Sequence, residues 1–246
     1  MYTQEDRIKE IWHVLDHVYD PELDRSIHEL NFVACLEVSD TDVAVTLRLP
    51  TYWCSPNFSF MMMKDLDDAL MALPWVKSAR ITLIDHESQE KLNQGIARHQ
   101  SFSQIFSEST GDLESVRRVF KEKAFYSRQK RVLDYLQTQG LNMSSWTPGT
   151  WQEVRQILQA PAPGQQLLER YEEMAQYWKV GCGDNDAVIV DISGRAISPE
   201  LWGRHSHILR LVALNMESNA HICQGLLAVR YPRQDPGYSL PLVDSH

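Results

Sequence analysis

The stretch Leu49-Pro50-Thr51-Tyr52-Trp53-Cys54-Ser55-Pro56 separates two patterns that cannot belong to one element. Before it, Val43, Val45, Leu47 and Leu49 alternate with Ala44, Thr46 and Arg48, the period of a half-buried strand. After it, Phe58, Met62, Leu66, Ala69, Leu70 and Leu73 recur at helical spacing. The chain must therefore run strand, turn, helix, with Cys54 in the turn just before the helix. Ser55 suits the N-cap and Pro56 the first helical position. The unpaired N–H groups and positive end of that helix would face the Cys54 sulfur. Such a place lowers a thiol pKa and favours thiolate, the form that attacks electrophiles and binds soft metals. The alternative is that Cys54 is a small buried hydrophobe, the commoner fate of a lone cysteine.

The flanking segments extend this unit. Thr3 opens a helix carrying Ile8, Ile11, Trp12, Leu15 and Val18 or Tyr19, and Asp20-Pro21-Glu22 closes it, because the residue before a proline avoids helical geometry. Ser26 to Leu30 reads as a short helical turn. Phe32, Ala34, Leu36 and Val38 alternate with Val33, Cys35 and Glu37 as a strand, and Ser39 to Asp42 is a polar turn into the strand at Val43. Met61, Met62 and Met63 could be a soft-metal feature but suit core filling better. Pro74-Trp75 ends the helix, and Ala79, Ile81 and Leu83 mark a third strand. The expected N-terminal domain is α/β (α+β), in the order α-β-β-α-β, with a small three-stranded sheet.

Asp85 to Ser109 is polar and irregular, a helix-containing connector. Residues 112–139 then read as one long helix with Leu113, Val116, Val119, Phe120, Ala124, Leu133 and Leu136 inward, stopped by Gly140. Its basic residues, from Arg117 to Arg131, could dock an acidic surface or simply face solvent. Trp146 to Gly149 is a turn. Thr150 and Glu153 form a capping box for a helix that Ala160-Pro161-Ala162-Pro163-Gly164 breaks. Leu167 to Trp178 is a further helix, Val188 to Ile192 a short strand, Ser198 onward a helix, and His221 to Arg230 a final strand. The proline-bearing tail from Tyr231 reads as a surface extension. The expected domains are residues 1–107, and 108–246 as a mostly helical region with a few short strands.

The net charge is −9. Residues 1–107 carry 9 basic and 17 acidic residues and residues 108–246 carry 15 and 16, so the excess lies in the first part. This balance excludes a general nucleic-acid binder, which needs a basic face. Four scattered cysteines with no CxxC pair fit a reducing cytoplasm. No apolar run approaches the length of a membrane span, and Met1 to Asp6 lacks the features of a signal peptide.

No dinucleotide fingerprint, Walker loop, HExxH or EF-hand loop appears. His205 and His207 are two apart and would point about 200° apart on a helix, so they cannot chelate together. His205 suits a satisfied core histidine. His221 and Cys223 share a face only in a strand, where they are plausible soft ligands. Cys182, between Gly181 and Gly183 in a loop, is the second most suggestive thiol. Asp20 and Glu22 are turn residues that could also do acid–base work or bind a hard metal. Thr51 could hold the Cys54 turn through a backbone hydrogen bond.

Taken in order, Asp20-Pro21-Glu22-Leu23, Ser26-Ile27, Leu30-Asn31-Phe32-Val33 and Thr51-x-x-Cys54 resemble the PaaD/SufT-like iron–sulfur assembly family, in register over residues 4–85. Asn31 stands at the family's usual glycine, Cys54-Ser55-Pro56 replaces its Cys-Pro, and a long extension replaces its customary C-terminal segment. The resemblance implies a small α/β domain that helps mature iron–sulfur or other iron proteins, as adaptor or carrier. It maps the functional cysteine onto Cys54 and the acidic turn onto Asp20 and Glu22.

The resulting expectation is a cytoplasmic, non-catalytic maturation factor. Cys54 would hold iron, a cluster or a partner thiol transiently, with no tightly bound cofactor. Asp20, Glu22, Thr51 and Ser55 would shape the site. Stable clusters take four ligands, so one thiolate implies a homodimer, recruitment of Cys182 or of Cys223 with His221, or no cluster on the isolated chain. The partner would be assembly machinery or a client iron protein, by analogy an iron-dependent oxygenase. Two other readings are a thiol enzyme with a distant histidine base, and an interaction module using Tyr52 and Trp53.

Overall fold

The computed structural model describes residues 3–108, 112–141, 149–158, 162–232 and 237–238, the backbone alone at 162 and 237–238. The expected turn at Trp146 to Pro148, the break at Ala160-Pro161 and most of the tail beyond Pro232 lie outside these residues. The chain divides into two compact units, Met1–Ser115 with Ser218–His246, and Val116–Glu217. Residues 218–246, expected with the second part, are thus grouped with the first.

In the first unit, helix α1 (Gln4–Leu15) starts at a capping box. The Thr3 hydroxyl accepts from the Asp6 N–H, and the Asp6 carboxylate accepts from the Thr3 N–H. Ile11 and Leu15 are its buried stripe. Strands β1 (Tyr19–Asp20) and β2 (Arg25–Ser26) pair as a short antiparallel ribbon that closes the Asp20-Pro21-Glu22 turn. Ser26 ends this ribbon, and the short turn expected over Ser26 to Leu30 follows, the Leu30 N–H donating to Ser26 O at 2.9 Å. Asn31 follows at φ +58°, a left-handed conformation for which glycine is best and asparagine next. That explains how it can stand at a glycine position.

Strands β3 (Val33–Ser39) and β4 (Asp42–Arg48) form the expected hairpin, with Asp40 at φ +48° in its two-residue loop. Helix α2 (Pro56–Met71) buries Met61, Met62, Met63, Leu66 and Leu70, so the methionine run is core. Strand β5 (Ser78–Ile84) pairs in parallel with β4, from Asp42↔Ser78 to Arg48↔Ile84. This β-α-β crossover puts the C-terminal ends of β4 and β5 side by side. The α-β-β-α-β frame is as expected, with the ribbon added and a fourth strand, β6 (Gly237–Tyr238), parallel to β3.

The connector is helical and contributes to the core. In α3 (Gln89–Ala97) Leu92 and Ile96 are buried, and in α4 (Phe102–Ile105) Phe102 is. A Cβ at Gly95 would collide with Ile105, so only glycine lets these two helices approach as they do.

The second unit is helical. It holds α5 (Leu113–Thr138) from Val116 on, α6 (Trp151–Ile157), α7 (Ala162–Tyr177) and α8 (Pro199–Arg230) as far as Glu217. Phe125, Leu136, Trp151, Tyr171, Val188 and Leu209 are among its fully buried residues. A polar network crosses this core: Gln129 Nε2 donates to Val190 O at 3.1 Å, and His205 Nε2 meets Gln129 Oε1 at 2.6 Å. His205 is a satisfied core histidine.

Two expected strands are corrected. Val188 to Ile192 forms no strand, since the region makes only isolated bridges, Thr150↔Ala187 and Val190↔Ala196. Its apolar run is buried by helices, not by sheet partners. His221 to Arg230 is the last part of α8. No proline interrupts the chain between Pro199 and Pro232, so the helix runs through Gly225 with Ala220, Cys223 and Leu227 on one stripe.

Candidate functional site

The site lies where β4 and β5 end. Chain leaving β4 forms the Pro50–Cys54 turn, and chain leaving β5 forms the segment Asp85–Ser88. Parallel pairing brings these two exits together, the usual place for function at a parallel sheet.

Cys54 is half-buried. Its Sγ lies 3.3 Å from Thr51 Oγ1, and the Trp53 N–H donates to that same hydroxyl at 3.3 Å. Thr51 thus holds the turn through a backbone group, as expected, and touches the thiol as well. Ser55 is the N-cap of α2 and Pro56 its first residue, but the Ser55 side chain makes no capping bond. Ser55 contributes its carbonyl, which accepts from the Phe58 and Ser59 N–H groups and from Ser59 Oγ.

His86 completes the turn. It is 1% exposed, and its Nε2 lies 2.8 Å from the Cys54 carbonyl oxygen while the Ser88 N–H donates to Nδ1 at 3.1 Å. These partners fix the tautomer: Nε2 must carry the proton, and Nδ1 must not. Burial pushes the imidazole pKa below its ordinary value, which favours that neutral form. The Glu87 N–H donates to Tyr52 O at 3.0 Å. Nothing in its sequence neighbourhood marks His86. The usable signal is topological: the register Arg48↔Ile84 sets residue 86 level with Pro50, at the start of the turn that carries Cys54.

Tyr52 and Trp53 project outward, 46% and 72% exposed, in an edge-to-face contact with ring centroids 5.0 Å apart. Tyr52, Asp85, His86, Glu87 and Glu90 help line an open cleft of about 450 Å³ next to the turn.

The acidic turn is structured from within. Asp20 Oδ1 accepts from the N–H groups of Glu22 and Leu23 at 2.9 and 3.0 Å. Asp20 is 7% exposed, and burial pushes its carboxyl up to about 7. Glu22 Oε1 lies 3.4 Å from Asn219 Nδ2 on α8. Cys223, one helical turn further along, has its thiol pushed up to about 11. Burial is the main cause, followed by the nearby Asp20, Cys54 and Glu22. Glu22 is thus tied to α8, and Cys54 and Cys223 both pack against the core of the first unit. The Arg230 guanidinium donates to the carbonyl oxygens of Leu49 and Asp85, and Tyr231 OH donates to Asp85 Oδ2 at 2.8 Å.

Cys182 belongs to the second unit, where its thiol donates to Val180 O at 3.4 Å and burial pushes it up to about 11. His221 sits two residues from Cys223 on a helix, not a strand, so the two point about 200° apart and cannot act as a pair. Among the described residues no group of three or more His, Cys, Asp or Glu side chains is placed to hold a metal ion. No helix among them is long and apolar enough to cross a membrane.

No curated protein is significantly similar to the chain. A family model described as iron–sulfur cluster assembly protein matches residues 8–83, a span from α1 into β5 that includes Asp20, Glu22, Thr51, Cys54 and Ser55 but neither His86 nor Cys223. Over residues 8–83 the chain is thus similar to the iron–sulfur cluster assembly protein family.

Proposed function

We propose that the protein is a maturation factor that handles iron or an iron–sulfur cluster as cargo through the Cys54 thiol. The family supports a role in iron–sulfur cluster assembly in general. The observation that carries the finer reading is the setting of Cys54. It is half-buried in a turn held by Thr51 on one side and by buried His86 on the other, beside two exposed aromatic rings. A thiol held in that way can meet a partner without searching for its geometry. One sulfur is too few to store a cluster, which takes four ligands, so the site suits brief holding and hand-over. Trp53 and Tyr52 offer amphipathic area for a partner protein, either assembly machinery or a client such as an iron-dependent oxygenase. Residues 108–246 select that client.

Both ring nitrogens of His86 are engaged with backbone groups, which suits a positioning role better than that of a base acting on Sγ. The test is anaerobic affinity capture of the full-length protein from its native cells, as wild type, Cys54→Ser and Trp53→Ala. An iron protein should co-purify, with less iron per chain when Cys54 is replaced and lower recovery when Trp53 is. Unchanged client iron with Cys54→Ser would overturn the carrier role. If recovery then still fell with Trp53→Ala, a pure interaction module would be the better description.

A further inference from the structure

Helix α8 (Pro199–Arg230) is a single helix with two apolar stripes. At roughly 100° per residue, the buried residues His205, Leu209, Ala213, Met216, Ala220 and Leu227 fall within an arc of about 80°, the stripe that packs inward. Leu201, Ile208, Leu211, Ile222, Leu226 and Val229 fall within another arc of about 80°, centred roughly 120° from the first. These six are between 38% and 82% exposed. A surface helix ordinarily turns a polar face to water. A second apolar stripe, roughly 42 Å long at 1.5 Å per residue, calls for something to cover it.

The chemistry of the stripe points to what covers it. Asn215, exposed, stands at its middle both along the helix and around it. Ile208 and Ile222 lie 7 residues to either side of Asn215, and Leu201 and Val229 lie 14 residues to either side. A polar residue in the middle of an apolar row is costly against an apolar partner. At a two-fold axis it meets its own copy instead, and an amide can both donate and accept there, which fixes the register. We propose that α8 pairs antiparallel with α8 of a second copy of this chain, about a two-fold axis at Asn215. Ile208 of each copy then packs on Ile222 of the other, and Leu201 on Val229. A parallel pair would instead set Arg204, the one charged residue of the stripe, against itself and align the two helix dipoles. The antiparallel pair lays Arg204 along Leu226 and opposes the dipoles. The six exposed side chains offer roughly 600 Å² on each copy, so a pair covers about 1,200 Å², the lower end of stable specific interfaces. The proposal does not depend on the reading of Cys54.

The test is sedimentation equilibrium on the full-length protein, wild type and variants. Wild type should be a dimer. Ile208→Glu and Ile222→Lys, each alone, should raise the dissociation constant by roughly a hundredfold or more, since each buries two unpaired charges in the pair. Mixing these two variants should restore a dimer, because only antiparallel pairing sets the new carboxylate against the new ammonium. Leu214→Glu should leave the dimer intact: Leu214 is 59% exposed but lies roughly 100° around the helix from Asn215. Far-UV circular dichroism checks that each variant keeps its helices, as changes at exposed positions should. A wild type still monomeric at roughly 100 μM, above the micromolar limit for interfaces of this class, overturns the proposal and gives the stripe to another occupant. So does a dimer that Ile208→Glu and Ile222→Lys leave unchanged, or one that Leu214→Glu disrupts equally. Variants that stay apart when mixed overturn the antiparallel two-fold.

Discussion

Replacing Asp20 by asparagine should stabilise the protein above neutral pH. The native carboxyl titrates at about 7 against an ordinary 3.8, chiefly through burial. Between those values the unfolded chain carries the ionised form while the native chain keeps its proton. The native state then binds more protons, so stability present below pH 3.8 is lost as pH rises through about 7. A shift of that size corresponds to roughly 4 kcal/mol when complete, at 1.36 kcal/mol per pH unit. Asparagine keeps an oxygen to accept from the Glu22 and Leu23 N–H groups but has no charge to bury. Asp20→Asn should therefore exceed wild type in stability at pH 8 by between about 1 and 4 kcal/mol. The difference should vanish near pH 4. Urea unfolding followed by circular dichroism across this range measures it. A variant less stable than wild type at pH 8, or a difference independent of pH, would refute the reasoning.

Other consequences follow from the same geometry. His86→Ala leaves the Cys54 carbonyl and the Ser88 N–H without partners and should cost about 1–3 kcal/mol, with faster alkylation of Cys54 by iodoacetamide as the loosened turn opens. The native His86 pKa is depressed, so stability present above its ordinary 6.5 should be lost as pH falls below that value, and the loss should be absent in His86→Ala when the two unfolding curves are compared. Trp53→Ala should change unfolding stability by no more than about 0.5 kcal/mol, because the ring is an exposed surface feature. Asn31→Val should destabilise by roughly 1–2 kcal/mol in urea unfolding, since a β-branched residue resists positive φ, while Asn31→Gly should be tolerated.

What the sequence made legible was local. Alternation over Val43 to Leu49, the prolines at 50 and 56, and helical spacing from Phe58 to Leu73 each act over a few residues, and together they placed Cys54 correctly before α2. The hairpin, β5 and the long α5 were legible for the same reason. The misreadings fell where a short apolar run fits two periods. His221 to Arg230 has apolar residues on every side, and only continuity with the helix from Pro199 decides its state. Val188 to Val190 is apolar because helices surround it. The connector was expected to contain a helix but not where, because α3 buries only Leu92, Gly95 and Ile96. What stayed illegible was how the chain brings distant residues together, because that rests on long-range contacts. His86 reaches Cys54 through parallel strand pairing, and Cys223 reaches the acidic turn through a helix whose anchors are set by Glu22, Leu49 and Asp85.

The central claim is that the Cys54 sulfur handles iron. It is tested most directly by loading the full-length protein anaerobically with ⁵⁷Fe(II) and sulfide and recording Mössbauer spectra of wild type and Cys54→Ser. The account predicts a thiolate-ligated iron signal in the wild type that the serine variant lacks. Equal iron uptake with the same spectrum in both proteins would contradict it.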